Sequence, residues 1–156
     1  MMTIKTLYNT DFYQWTKETA RAIAERDFES MDWENLLEEI EALGRAEKKA
    51  VKSFTTQLMI HLLLYQYWTW RRDYYVKGWE DEIDEFREQL KDDLQSKILY
   101  NYFISEYDRC YQSAKRRTAR KYRKEDLEIP GFPERCPYTV EQLLDLCYYP
   151  ELSSTR

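Results

Sequence analysis

Residues 32–70 read DWENLLEEIEALGRAEKKAVKSFTTQLMIHLLLYQYWTW. Leu36, Ile40, Leu43, Val51, Phe54, Leu58, Leu62 and Tyr65 recur there at helical spacing, with the small Ala46 and Ala50 around Glu47, so one stripe is expected to face a core. Asp32 is placed to cap the start, and Met31 and Leu36 occupy the two positions of a hydrophobic staple. Past Leu58 the pattern becomes apolar nearly all round, as Met59, Ile60, Leu63 and Leu64 join the stripe, which is the mark of a central helix. Gly44 bears on the shape. Unbroken, residues 33–70 would make a rod of roughly 57 Å, against a diameter near ~40 Å for one compact domain of this length. Glycine inside a helix costs about 1 kcal/mol relative to alanine. The expectation is therefore two helices, 33–43 and 45–70, with a break or sharp kink between them.

The chain has 156 residues, 43% hydrophobic and 16% aromatic, enough to fill a core and to oppose intrinsic disorder. Its few breakers stand at Gly44, Gly78 and the cluster Pro130, Gly131, Pro133 and Pro137, leaving long segments that read as helix. The expected fold is all-α, an antiparallel helical bundle of about five to six helices without a sheet, forming one domain over 1–156. A helix over 10–26 would start at Thr10 as N-cap and turn Phe12, Trp15, Thr19, Ala22 and Ile23 to one side. Residues 71–77 read as a connection, followed by a helix over 79–95 that buries Trp79, Ile83, Phe86, Leu90 and Leu94. Ser96 caps a helix over 97–124 that buries Leu99, Tyr102, Phe103, Cys110 and Ala114 and keeps Tyr100, Tyr107 and Tyr111 on its flanks. A last helix over 140–148 has Thr139 and Gln142 spaced as a capping box, Tyr138 and Leu143 as a staple, and Val140, Leu143, Leu144 and Cys147 facing inward.

A net charge of −5 opposes generic nucleic-acid binding by the whole molecule but leaves local patches open. Cys110, Cys136 and Cys147 are odd in number and lack CxxC spacing, so neither a disulfide framework nor a zinc site is expected, and reduced thiols fit a cytoplasmic location. The first residues hold no apolar signal core, and the longest apolar run, Leu58 to Trp70, is too short to span a bilayer.

Several blocks together resemble a known family: Tyr8, Asp11, Phe12 and Trp15; Asp32-Trp33-Glu34-Asn35-Leu36; Glu38-Glu39-Ile40-Glu41-x-Leu43-Gly44; His61-Leu62-Leu63; Trp79; Arg87; and Pro137-Tyr138-Thr139. They are similar to the cyanobacterial proteins grouped as domain of unknown function 29, over nearly the whole chain. The resemblance implies a soluble bacterial helical protein and carries over no catalytic residue.

Two constellations invite chemistry. Asp32, Glu38, Glu39 and Glu41 with the only histidine, His61, suggest a carboxylate and histidine metal site of the kind built in bundles, hence a metal-dependent enzyme. Helix geometry opposes it, because Glu41 and His61 are 20 positions apart and no ExxH spacing occurs. The plainer expectation is a buried histidine that holds a loop by a hydrogen bond, with glutamates on a solvated first turn. No cofactor is called for, since GxSxG, GxGxxG and P-loop patterns are all absent. The second constellation is basic: seven of the ten residues 115–124 are Lys or Arg, and Thr118, Ala119 and Tyr122 share one arc. Antiparallel connectivity brings the end of the helix at Trp70, the start at Trp79 and the end at Lys124 to one pole. Trp70, Arg71, Arg72, Arg116, Arg117, Arg120 and Lys121 would gather there, able to stack bases and neutralise phosphates of single-stranded nucleic acid or another acidic partner. The leading expectation is still a non-enzymatic module that binds another protein or itself.

Overall fold

The computed structural model describes residues 2–153. Six α-helices and no strand occur among them, so the fold is all-α. They are α1 (Ile4–Thr10), α2 (Phe12–Ala24), α3 (Trp33–Tyr67), α4 (Arg72–Asp93), α5 (Lys97–Lys124) and α6 (Val140–Leu144), with a 3-10 turn at Phe28–Ser30. The chain divides into two compact units, Met1–Ala46 and Glu47–Arg156, and α3 supplies residues to both.

The first unit is organised by two aspartates. Asp11 ends α1 through its own N–H to the Leu7 carbonyl at 2.8 Å and starts α2 by accepting from the Gln14 N–H at 3.0 Å. Thr10 was the expected cap, but its hydroxyl donates to the Thr6 carbonyl at 3.0 Å, inside a helix that the sequence did not announce. Asp32 caps α3, accepting from the Asn35 N–H at 3.4 Å, and takes the buried Trp15 indole N–H at 3.1 Å. Around Trp15 the rings of Phe12 and Tyr8 pack at 5.5 and 5.2 Å between centroids.

α3 runs through Gly44 without a break, in place of the two helices 33–43 and 45–70. The expected break rested on fitting a long rod into one compact body, whereas the chain forms two units. Flanking Ala42, Leu43, Ala46 and Glu47 are strong helix formers that offset the glycine. The expected apolar stripe holds only in part: Val51, Leu58 and Leu62 are buried, Leu36, Phe54 and Tyr65 are half-buried, and Ile40 and Leu43 stand exposed.

In the second unit Leu58, Met59, Ile60, Leu62 and Leu63 are fully buried and form the centre of the core with Ile83, Leu90, Phe103 and Leu143. α4 begins at Arg72 and passes through Gly78, where a connection and a start at 79 were expected. The reason is local. Arg71 adopts the left-handed conformation (φ 49°), which turns the chain sharply, and Arg72 Nη1 donates to the carbonyls of Tyr65 and Trp68 at 2.6 and 3.1 Å, satisfying the C-terminal end of α3. α5 has the expected limits and the expected Ser96 cap. Tyr111, expected on a flank, is fully buried and donates to the Pro133 carbonyl at 2.5 Å. The Thr139 and Gln142 capping box starts α6, which stops at Leu144 rather than 148, so Cys147 is exposed and not inward. Arg87 is buried and donates to the carbonyls of Gln142, Leu143 and Tyr148 at 3.0, 2.9 and 2.6 Å, closing the exposed end of that short helix.

Candidate functional site

The carboxylate and histidine set falls into separate settings. Asp32 spends its oxygens on Trp15 and on Asn35, whose side-chain amide it also meets at 2.7 Å. Burial works against its charge, yet the hydrogen bonds from Asn35 and Trp15 outweigh this and hold the carboxyl below its ordinary range. Glu39 accepts the Tyr8 hydroxyl at 2.7 Å, Glu41 lies 3.9 Å from Arg45, and Glu38 is exposed. All four belong to the first unit, and His61 belongs to the second. His61 Nδ1 stands 2.7 Å from the Gln57 carbonyl one turn back on its own helix, so the bond goes to α3 and not to a loop as expected. A carbonyl only accepts, so Nδ1 carries the proton. Burial lowers the histidine pKa, and the ring packs against Phe86 at 5.5 Å. Among the described residues no group of three or more His, Cys, Asp or Glu is placed to hold a metal ion.

In the second unit a cluster of aromatic side chains, with Arg71 and Arg72 against it, surrounds Trp68. Its ring lies 4.6 Å from Tyr122, 6.4 Å from Trp70 and 6.5 Å from Trp79. Tyr75 stacks on Trp79 at 5.8 Å, and the Arg72 guanidinium lies 4.8 Å from the Tyr65 ring centre. Arg71 covers Trp70 and Tyr74 at 5.5 and 5.1 Å. A cavity of about 340 Å³ opens beside them, lined by Leu64, Trp68, Tyr75, Trp79, Lys121, Lys124 and Glu125. Of the expected basic set only Lys121 lines it. Arg116, Arg117 and Arg120 are exposed on α5 outside that lining, and Arg72 is committed to the carbonyls ending α3. Trp68 and Trp79 are buried, and Trp68 donates its indole N–H to the Trp70 carbonyl at 2.7 Å. Tyr122, at the centre of this packing, has a buried hydroxyl without a partner among the described residues, and burial raises its pKa.

A third feature emerges only from the structure. In the first unit Trp33, Leu37, Ile40 and Leu43 are 55, 59, 58 and 66% exposed, a run of large apolar side chains on the first half of α3. Trp33 is held in place, because its indole N–H donates to the Phe28 carbonyl at 3.1 Å and its ring meets the exposed Phe28 ring at 6.2 Å. Periodicity marked part of this face as apolar but assigned it to a core. Nothing around Gly44 lies within 4 Å of an added Cβ, so the glycine serves no close packing inside the chain.

The model of the family described as domain of unknown function DUF29 matches residues 7–149. The chain belongs to the DUF29 family. No curated protein and no solved structure matches it. No helix among the described residues is long and apolar enough to cross a membrane.

Proposed function

We propose that this DUF29 protein is a non-enzymatic docking module, working through an apolar protein surface rather than through bond chemistry. The observation that carries the reading is the exposed row of Trp33, Leu37, Ile40 and Leu43 on α3, large apolar side chains of the kind that interfaces bury at their centres. Trp33 is anchored before any partner arrives, so docking forfeits little side-chain freedom. The basic aromatic pole carries no separate reading, because Trp68 and Trp79 are buried against Tyr122, Tyr75 and each other, and the cavity beside them offers a ligand Tyr75 and two lysines beside Glu125. The metal-enzyme reading has no cluster behind it: Asp32, one oxygen of Glu39 and Nδ1 of His61 are in structural bonds, and no three such side chains come together among the described residues. The test is affinity capture from the host with the full chain and with Leu37→Asp, quantified by mass spectrometry, alongside light scattering of the purified protein. Binding of a partner, either another protein or a second copy, is expected with the wild type and lost in the variant. A wild-type protein that stays monomeric and retrieves nothing, or partners retained equally by Leu37→Asp, would sink the reading.

A further inference from the structure

The exposed face of α3 carries information about what covers it. Wound at 3.6 residues per turn, Trp33, Leu37, Ile40 and Gly44 fall within an arc of about 60°, with Leu36 and Leu43 along one edge. Four carboxylates, Glu34, Glu38, Glu39 and Glu41, occupy the stretch from Glu34 to Glu41 without a cation. Arg45, Lys48, Lys49 and Lys52 follow, against the single acid Glu47. The charge thus changes sign along one helix, about a point close to the glycine. A parallel copy would lay acid on acid. An antiparallel copy can instead bring the acidic start of α3, at Glu34, level with the basic segment at Lys48, twice over, because a two-fold axis repeats every contact.

Resting on the docking reading above, we infer that the partner of this face is a second copy of the same chain, joined antiparallel through α3 about a two-fold axis beside Ile40 and Glu41. In that register Leu37 packs over Gly44 of the partner subunit, where the absence of a side chain lets two helices approach closely. Ile40 meets its own counterpart near the axis. Glu34, which meets Lys5 of its own chain in an exposed ion pair at 3.3 Å, lies opposite Lys48 of the partner subunit, on the flank that Glu41 and Arg45 share. Glu41, which comes nearest its own copy, is already matched by Arg45 at 3.9 Å in the same chain. The pairing also gives Gly44 a use that its surroundings within the chain do not supply.

Sedimentation velocity of the full chain from about 5 to about 200 μM tests this, a range that suits an interface of one helix pair. The wild type is expected to pass from monomer to dimer. Ile40→Glu should weaken the dimer at least about tenfold while circular dichroism stays unchanged, since Ile40 is exposed and not part of a core. Glu34→Lys should weaken it by about threefold, and Glu34→Lys with Lys48→Glu should restore it, which a merely sticky surface would not do. A dimer indifferent to Ile40→Glu, or a double variant no better than Glu34→Lys, would overturn the antiparallel pairing. A wild type that remains monomeric would overturn it too. That outcome leaves the broader docking reading to be decided by whether Leu37→Asp loses a different captured protein.

Discussion

Two titrating side chains give the fold an acid-side signature in two separate windows. Burial disfavours the His61 imidazolium and lowers its pKa from the ordinary 6.5, so the unfolded chain takes up that proton first. Its contribution to stability is therefore whole above about pH 6.5 and is lost as pH falls from there through the folded value. Asp32, lowered from 3.8, behaves likewise in a more acid window, keeping its contribution above that value and losing it below. Urea midpoints between about pH 7 and pH 5 should fall for the wild type and stay nearly level for His61→Gln, whose amide can still meet the Gln57 carbonyl. Parallel curves would mean that the histidine is not the group responsible. Such behaviour could not be read from the sequence, where His61 is only a polar residue in an apolar run. Its partner is one turn back, and its burial depends on Phe86 of another helix.

At the level of elements, boundaries were legible where the signal is local and exclusive. Ser96 and Thr139 each stand alone in front of an apolar pattern, and both cap the helix expected of them. Thr10 and Asp11 are adjacent and equally able to cap, so the choice fell to tertiary detail, with Thr10 turning back into α1. The start of α4 was hidden because its cap is not a small polar residue but Arg71 in a left-handed turn, with Arg72 reaching back to α3. Periodicity identified Ile40 and Leu43 as one side of a helix, but it says nothing about what lies against that side. The exposed face was therefore mistaken for core. Gly44 makes the sharpest element-scale prediction. It sits in regular helix with no neighbour within 4 Å of an added methyl, so Gly44→Ala should raise the stability of the monomer by about 1 kcal/mol in chemical denaturation at low protein concentration. A loss of stability there would show that the helix needs the glycine's freedom.

On the scale of the whole chain, the feature least visible in the sequence is Arg87. Nothing near it marks a buried cation, since its three acceptors lie 55, 56 and 61 positions further on. Carbonyl dipoles and the rings of Tyr148 and Tyr149, 5.9 and 5.7 Å away, take the place of a directly bonded carboxylate, and burial lowers the pKa of the guanidinium although the charges of Asp84 and Asp145 pull the other way. Arg87→Met keeps an unbranched apolar stem but strands three carbonyls, so a loss of about 3 to 5 kcal/mol is expected in the urea-derived stability, with Arg87→Lys recovering only part. A cost below about 1 kcal/mol would mean that water satisfies those carbonyls instead.

The same three bonds set a timetable. A ribosome delivers Arg87 well before Tyr148, and until the later segment emerges the guanidinium has no dry place to go and must stay hydrated. An α4 packed over the core in that interval would leave the Arg87 guanidinium without its three acceptors. Completion of the second unit is thereby tied to the arrival of its final turns, and a chain interrupted before them presents an open, protease-sensitive core instead of a nearly finished one.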